Sequence, residues 1–127
     1  MKLVCLGVLV ILFFTQCSKF EDTEKPIITI QSPLNHDTIP GAVSEVTMQF
    51  TATDNKSLSS LILEITDSNG NNYFSDTKSI FGTNYNYKNS FIIAKHSSKY
   101  KELIMTVHII DETKHEAIAS STFLIAP

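Results

Sequence analysis

From Pro26 onward, apolar and polar residues alternate in short runs, and no stretch carries a helical stripe. Glu45–Thr53 shows the pattern most clearly. Val46, Met48, Phe50 and Ala52 fall on one face, and Thr47, Gln49, Thr51 and Thr53 on the other, as a strand with one buried face requires. Leu61, Leu63 and Ile65 repeat the device with Glu64 and Thr66 turned outward, and Tyr100–Asp111 sets Leu103, Met105, Val107 and Ile109 on one side. Ile27–Ile30, Tyr73–Ile80, Tyr85–Ala94 and Glu116–Ile125 complete a set of seven predicted strands. Pro33–Gly41 reads as a connection dense in turn residues. Asp67-Ser68-Asn69-Gly70-Asn71 supplies hairpin chemistry, because Asn-Gly readily takes positive φ. Short strands about ten residues apart, punctuated by turns, predict an all-β, seven-stranded immunoglobulin-like β-sandwich.

The N-terminal segment has a different pattern. Lys2 precedes an apolar run from Leu3 to Phe14, then Thr15, Gln16 and Cys17. A basic start, an apolar core and a cleavage zone make an export signal. Twelve apolar residues are too few for a membrane-crossing helix, which needs about 20. A cysteine directly after the signal predicts a lipoprotein acylated at Cys17. The alternative is a plain cleaved signal followed by an incidental cysteine. The expected organisation is a signal peptide over residues 1–16, an acylated cysteine and tether over 17–25, and the sandwich over 26–127. Ser18–Lys25 is charged, with Phe20 its one large apolar residue, so it reads as a spacer.

Composition narrows the partners. The chain has 127 residues, a formal charge of −3 and no arginine. It lacks both the basic stripe that neutralises nucleic-acid phosphates and the bidentate clamp for carboxylate or phosphate. Nucleic acid is therefore an unexpected partner. Cys5 would leave with the signal, so Cys17 would be the single mature cysteine, with no internal disulfide. About 110 residues would remain, enough for one core.

Three stretches carry a family resemblance: Pro26-Ile-Ile-Thr-Ile-Gln-Ser-Pro33, Phe50-Thr-Ala-Thr-Asp54-Asn55 and Leu58-Ser-Ser-Leu-Ile-Leu. They resemble the opening half of bacterial Ig-like domains, and Met105-Thr-Val-His-Ile-Ile-Asp111 is similar to a later segment. Glu112-Thr-Lys-His115 stands where those domains usually turn on glycine. The chain looks like lipoproteins of the Bacteroidota that carry one such domain, fibronectin-III-like or cadherin-like rather than antibody-like. That resemblance implies an outer-membrane location, and Lys19, Glu21 and Asp22 resemble a signal for display on the cell surface. Asp37-Thr38-Ile39 resembles an O-glycosylation motif of the same group.

Candidate chemistry is sparse. Asp54, Asp111, Glu112 and Glu116 end or follow strands at one predicted pole and could converge on calcium, although strand-end aspartates commonly bond their own turn. His36, His96, His108 and His115 lack the clustered spacing of a zinc site. No nucleophile elbow or phosphate loop is present, so no catalysis is expected. Tyr73, Tyr85 and Tyr87, interleaved with asparagines, could stack on sugar rings or could belong to the core. The first reading is thus a non-catalytic envelope module, with no cofactor, that meets a protein partner. The alternatives are a surface glycan-binding protein and a calcium-stiffened adhesin. The first strand should start at the pole bearing Asp54 and Asp111, which leaves the opposite end or an exposed sheet edge for the partner.

Overall fold

The computed structural model describes residues 22–41, 45–93 and 98–127. The apolar run, Cys17 and His96 lie outside the described residues. All regular secondary structure among the described residues is β: β1 (Ile27–Ser32), β2 (Thr38–Ile39), β3 (Glu45–Thr53), β4 (Leu58–Thr66), β5 (Asn72–Ser79), β6 (Asn84–Ile92), β7 (Lys101–Asp111) and β8 (Glu116–Ile125). They form two sheets, ordered β1-β3-β6 and β2-β8-β7-β4-β5. Every pairing is antiparallel except that of β2 with β8, which is parallel. The result is an immunoglobulin-like sandwich of eight strands, one more than the periodicity predicts.

The extra strand, β2, sits inside the Pro33–Gly41 connection. Two residues cannot display an alternation, so no period marks it. Its order comes from backbone pairing with β8: Leu124 N–H donates to the Asp37 carbonyl and Ala126 N–H to that of Ile39, each at 2.8 Å. The chain therefore begins in one sheet as β1 and crosses to the other as β2.

The core is the alternation made physical. Met48, Phe50 and Ala52 of β3 are fully buried, as are Leu61, Leu63 and Ile65 of β4, Leu103, Met105, Val107 and Ile109 of β7, and Phe123 of β8. Each of these side chains larger than Ala52 contributes roughly 1.5–3 kcal/mol by leaving water, so the two apolar faces closing on each other dominate the fold. Ile27 pairs with Thr53 and Leu58 with Asp111, which gathers the start of β1 and the ends of β3 and β7 at one pole, as expected. The 81–84 turn joins them through Asp54 N–H to Thr83 O at 3.0 Å and Leu58 N–H to Gly82 O at 2.9 Å.

The β4–β5 hairpin closes at the opposite pole. Only Gly70 there has positive φ, at 83°. Asn69 does not take positive φ, and the turn is organised by the Asp67 carboxylate. Asp67 accepts from Asn69 N–H (2.9 Å), Asn71 N–H (3.0 Å), Asn71 Nδ2 (2.9 Å) and Tyr73 OH (3.1 Å).

Candidate functional site

The β7–β8 turn builds a polar cluster at the pole where β1 begins. Asp111 ends β7 on its inward-facing register, so its side chain is fully buried. A buried carboxylate needs donors, and the turn supplies them. Asp111 Oδ1 accepts from His115 N–H and from Thr113 Oγ1, both at 2.9 Å, while Oδ2 lies 3.1 Å from His115 Nδ1. The turn closes through Lys114, which takes φ 71°.

Asp22 completes the cluster. It belongs to the charged stretch expected to be a spacer, yet it is only 6% exposed. Its Oδ2 lies 3.1 Å from Thr113 Oγ1, its Oδ1 accepts from Glu24 N–H at 3.0 Å, and its carboxylate is bonded by the Asn55 side chain. Burial pushes its carboxyl pKa up, but the bonds from Glu24, Asn55 and Thr113 and the nearby His115 charge outweigh that, leaving it below the ordinary value. The expected tether is thus fastened to the domain from Asp22 onward.

Thr113 is the hub, with His115 Nδ1 a further 2.8 Å from its Oγ1. One ligating atom each from Asp22, Asp111 and His115 lies within 4.8 Å of the others. An imidazole nitrogen and two carboxylate oxygens in this arrangement can hold a divalent ion or a proton network.

The expected acidic quartet does not assemble as such. Of its members, only Asp111 enters this cluster. Glu112 is exposed and donates its amide to the Ser57 carbonyl at 2.9 Å. Glu116 pairs instead with His108 at 3.2 Å. Asp54 accepts from Lys56 N–H at 3.1 Å through Oδ2, while its Oδ1 is buried without a hydrogen-bond partner.

The three tyrosines are not brought together as an exposed row. Tyr87 is 3% exposed, stacks on Phe50 at 4.8 Å and donates its hydroxyl to Asp76 Oδ2 at 2.7 Å. Tyr85, half-buried two residues earlier on β6, packs against the core. Tyr73 lies on β5, in the other sheet, with Lys101 Nζ 4.1 Å above its ring. Core packing, the bland reading of the alternation, accounts for these rings.

Sequence reasoning set His115 aside with the other histidines and did not see Asp22 as a site residue. The alternate spacing Asp111-x-Thr113-x-His115 was available as a signal. Asp22 offered none, because its partner Thr113 is 91 positions away.

No family model and no curated protein matches the chain. Solved structures do match in fold. The chain is similar to the periplasmic chaperone SfaE, with a TM-score of 0.58 and 14% identity over 80% of this chain. It spans 57% of that chaperone's length. A second match is CopC from Methylosinus trichosporium OB3b, with a TM-score of 0.47 and 14% identity over 80% of this chain and 95% of that one. The first likeness supports the immunoglobulin-like sandwich.

Proposed function

We propose that this protein is a non-catalytic binding module of the bacterial envelope, anchored to the outer membrane through Cys17, that takes an extended segment of a protein partner along the edge of β6. One observation carries the reading. β6 pairs with β3 over nine consecutive residues, Glu45↔Ile92 through Thr53↔Asn84, without a register shift, and nothing among the described residues pairs with its other side. A straight edge of that length presents a row of main-chain donors and acceptors ready for another strand.

Protection of this edge is slight. β6 contains no proline and no bulge, and Lys88 is its only charged residue. Ile92 at its end is 78% exposed. The neighbouring edge strand, β5, carries Asp76 and Lys78 paired at 3.2 Å, and Tyr87 reaches across to Asp76. Burial of Tyr87 favours a protein partner over a sugar ligand, since a stacking platform needs its ring exposed. The fold likeness to a periplasmic chaperone is in keeping with an envelope protein.

The tether constrains placement. From Cys17 to Asp22 is five residues, a reach of at most about 18 Å. An acylated Cys17 would hold the Asp111 pole close to the bilayer, with the β6 edge running away from it. Mass spectrometry of the mature N terminus tests the anchor, with an acyl mass on Cys17 as the expected result. Co-purification from membranes tests the edge. Asn86→Glu with Lys88→Glu in the full chain should release a partner that wild type retains, whereas Glu112→Lys at the other pole should not.

A further inference from the structure

We infer that Asp22, Asp111 and His115 form a divalent transition-metal site, of the kind zinc occupies, which fastens the segment entering β1 to the β7–β8 turn. The donor set selects the class of ion. One imidazole nitrogen with two carboxylates suits zinc and its neighbours, whereas calcium and magnesium take oxygen ligands. Tetrahedral ligands on bonds of about 2.0–2.2 Å stand roughly 3.3–3.6 Å apart. Asp111 Oδ2 and His115 Nδ1, at 3.1 Å, already have nearly that spacing. All three ligating atoms lie within 4.8 Å of one another, so a small inward movement of Asp22, near the start of the described chain, completes the set.

The protons at the cluster do not suffice for its contacts. Thr113 Oγ1 approaches Asp22 Oδ2, Asp111 Oδ1 and His115 Nδ1, and that nitrogen also approaches Asp111 Oδ2. The hydroxyl brings one proton and the ring nitrogen at most one, while ionised carboxylates bring none. Two protons thus serve four close polar contacts. A cation bound by the carboxylates and the imidazole would remove that shortfall and leave Thr113 to orient a carboxylate from behind.

Burial adds a second argument. Asp111 is fully buried and Asp22 is 6% exposed, and placing two carboxylates together away from water is costly without a compensating positive charge. Independently, Asp54 Oδ1 is buried without a partner, one residue before the Asn55 that bonds Asp22. The His115 side chain is 31% exposed, which gives an ion a route from solvent and leaves room for a water as fourth ligand.

The test uses the full chain in detergent, stripped with chelator and titrated with zinc alone by calorimetry. The expected result is saturable binding of one zinc per chain and a melting temperature that rises with zinc but not with calcium or magnesium. Asp22→Asn and His115→Gln should each weaken binding about tenfold or more, while His108→Gln leaves it unchanged. Should either variant fold poorly, proton NMR of wild type decides, because zinc should shift the ring resonances of His115 and not those of His36 or His108. Absence of saturable zinc binding would overturn the site, as would binding that survives both substitutions or a preference for calcium over zinc.

Discussion

Thr113 Oγ1 lies 3.1 Å from Asp22 Oδ2, joining two residues 91 positions apart and fixing the segment before β1 onto the β7–β8 turn. A charged stretch with little apolar surface would otherwise stay solvated. Polar bonds hold Asp22 in this docking, so it should be sensitive to single substitutions there. Asp22→Ala is expected to speed hydrogen exchange at the Glu24 amide, which the Asp22 carboxylate otherwise accepts, by about tenfold. The β3 and β7 amides should exchange as in wild type. Unchanged exchange at Glu24 would show that the segment is held by something else.

Lys114 occupies the left-handed region at φ 71°. A side chain there costs roughly 1–2 kcal/mol relative to the ordinary conformation, part of which glycine returns through the freedom of its unfolded chain. Lys114→Gly should therefore stabilise the domain by about 0.5–1 kcal/mol. Denaturant unfolding measures this as a higher midpoint with an unchanged slope.

Burial, reinforced by the bond to Asp76, pushes the Tyr87 hydroxyl up to about 12 from its ordinary 10.0. The unfolded chain then releases this proton more readily than the native one, so the stability Tyr87 confers is whole below pH 10 and is lost as pH rises through 12. Tyr87→Phe should flatten the alkaline fall in stability between those values. At neutral pH it should cost about 0.5–1.5 kcal/mol for the lost hydrogen bond. Thermal melts at stepped pH, with tyrosinate absorbance followed in parallel, check both effects.

The opposite sign holds at Asp67. The Asn71 side chain first, against a smaller opposing effect of burial, and then the Asn71 amide, Tyr73 and Asn69 hold its carboxyl down to about 2 from 3.8. Its contribution is present above pH 3.8 and disappears as pH falls through 2. Asp67→Ala should lower stability at neutral pH and make the acid limb between those values shallower, as read by far-ultraviolet circular dichroism.

How far the sequence reveals the structure depends on the period each element leaves behind. β3, β4 and β7 were legible to within a few residues because each buries one face, and Val46-x-Met48-x-Phe50-x-Ala52 is that burial written out. β2 was illegible because two residues carry no period and its order comes from β8. Asp111 could be placed at its pole, but its companions could not. Asp22 meets it only through tertiary folding, while His115 meets it through the local β7–β8 turn; Glu112 stays exposed and Glu116 pairs with His108. Tyr87 was ambiguous for a related reason: an aromatic on an alternating strand fits a core as well as a sugar platform, and only the stacking on Phe50 decides.

Photocrosslinking in cells tests partner binding along the β6 edge directly. A photoreactive amino acid is placed at Asn86 or Lys88 on β6, at Ser68 in the far hairpin, or at Glu112 on the Asp111 pole of the full chain. A discrete protein adduct is expected from Asn86 and Lys88, and little from Ser68 or Glu112. Adducts formed mainly through Glu112, with β6 silent, would contradict binding along this edge.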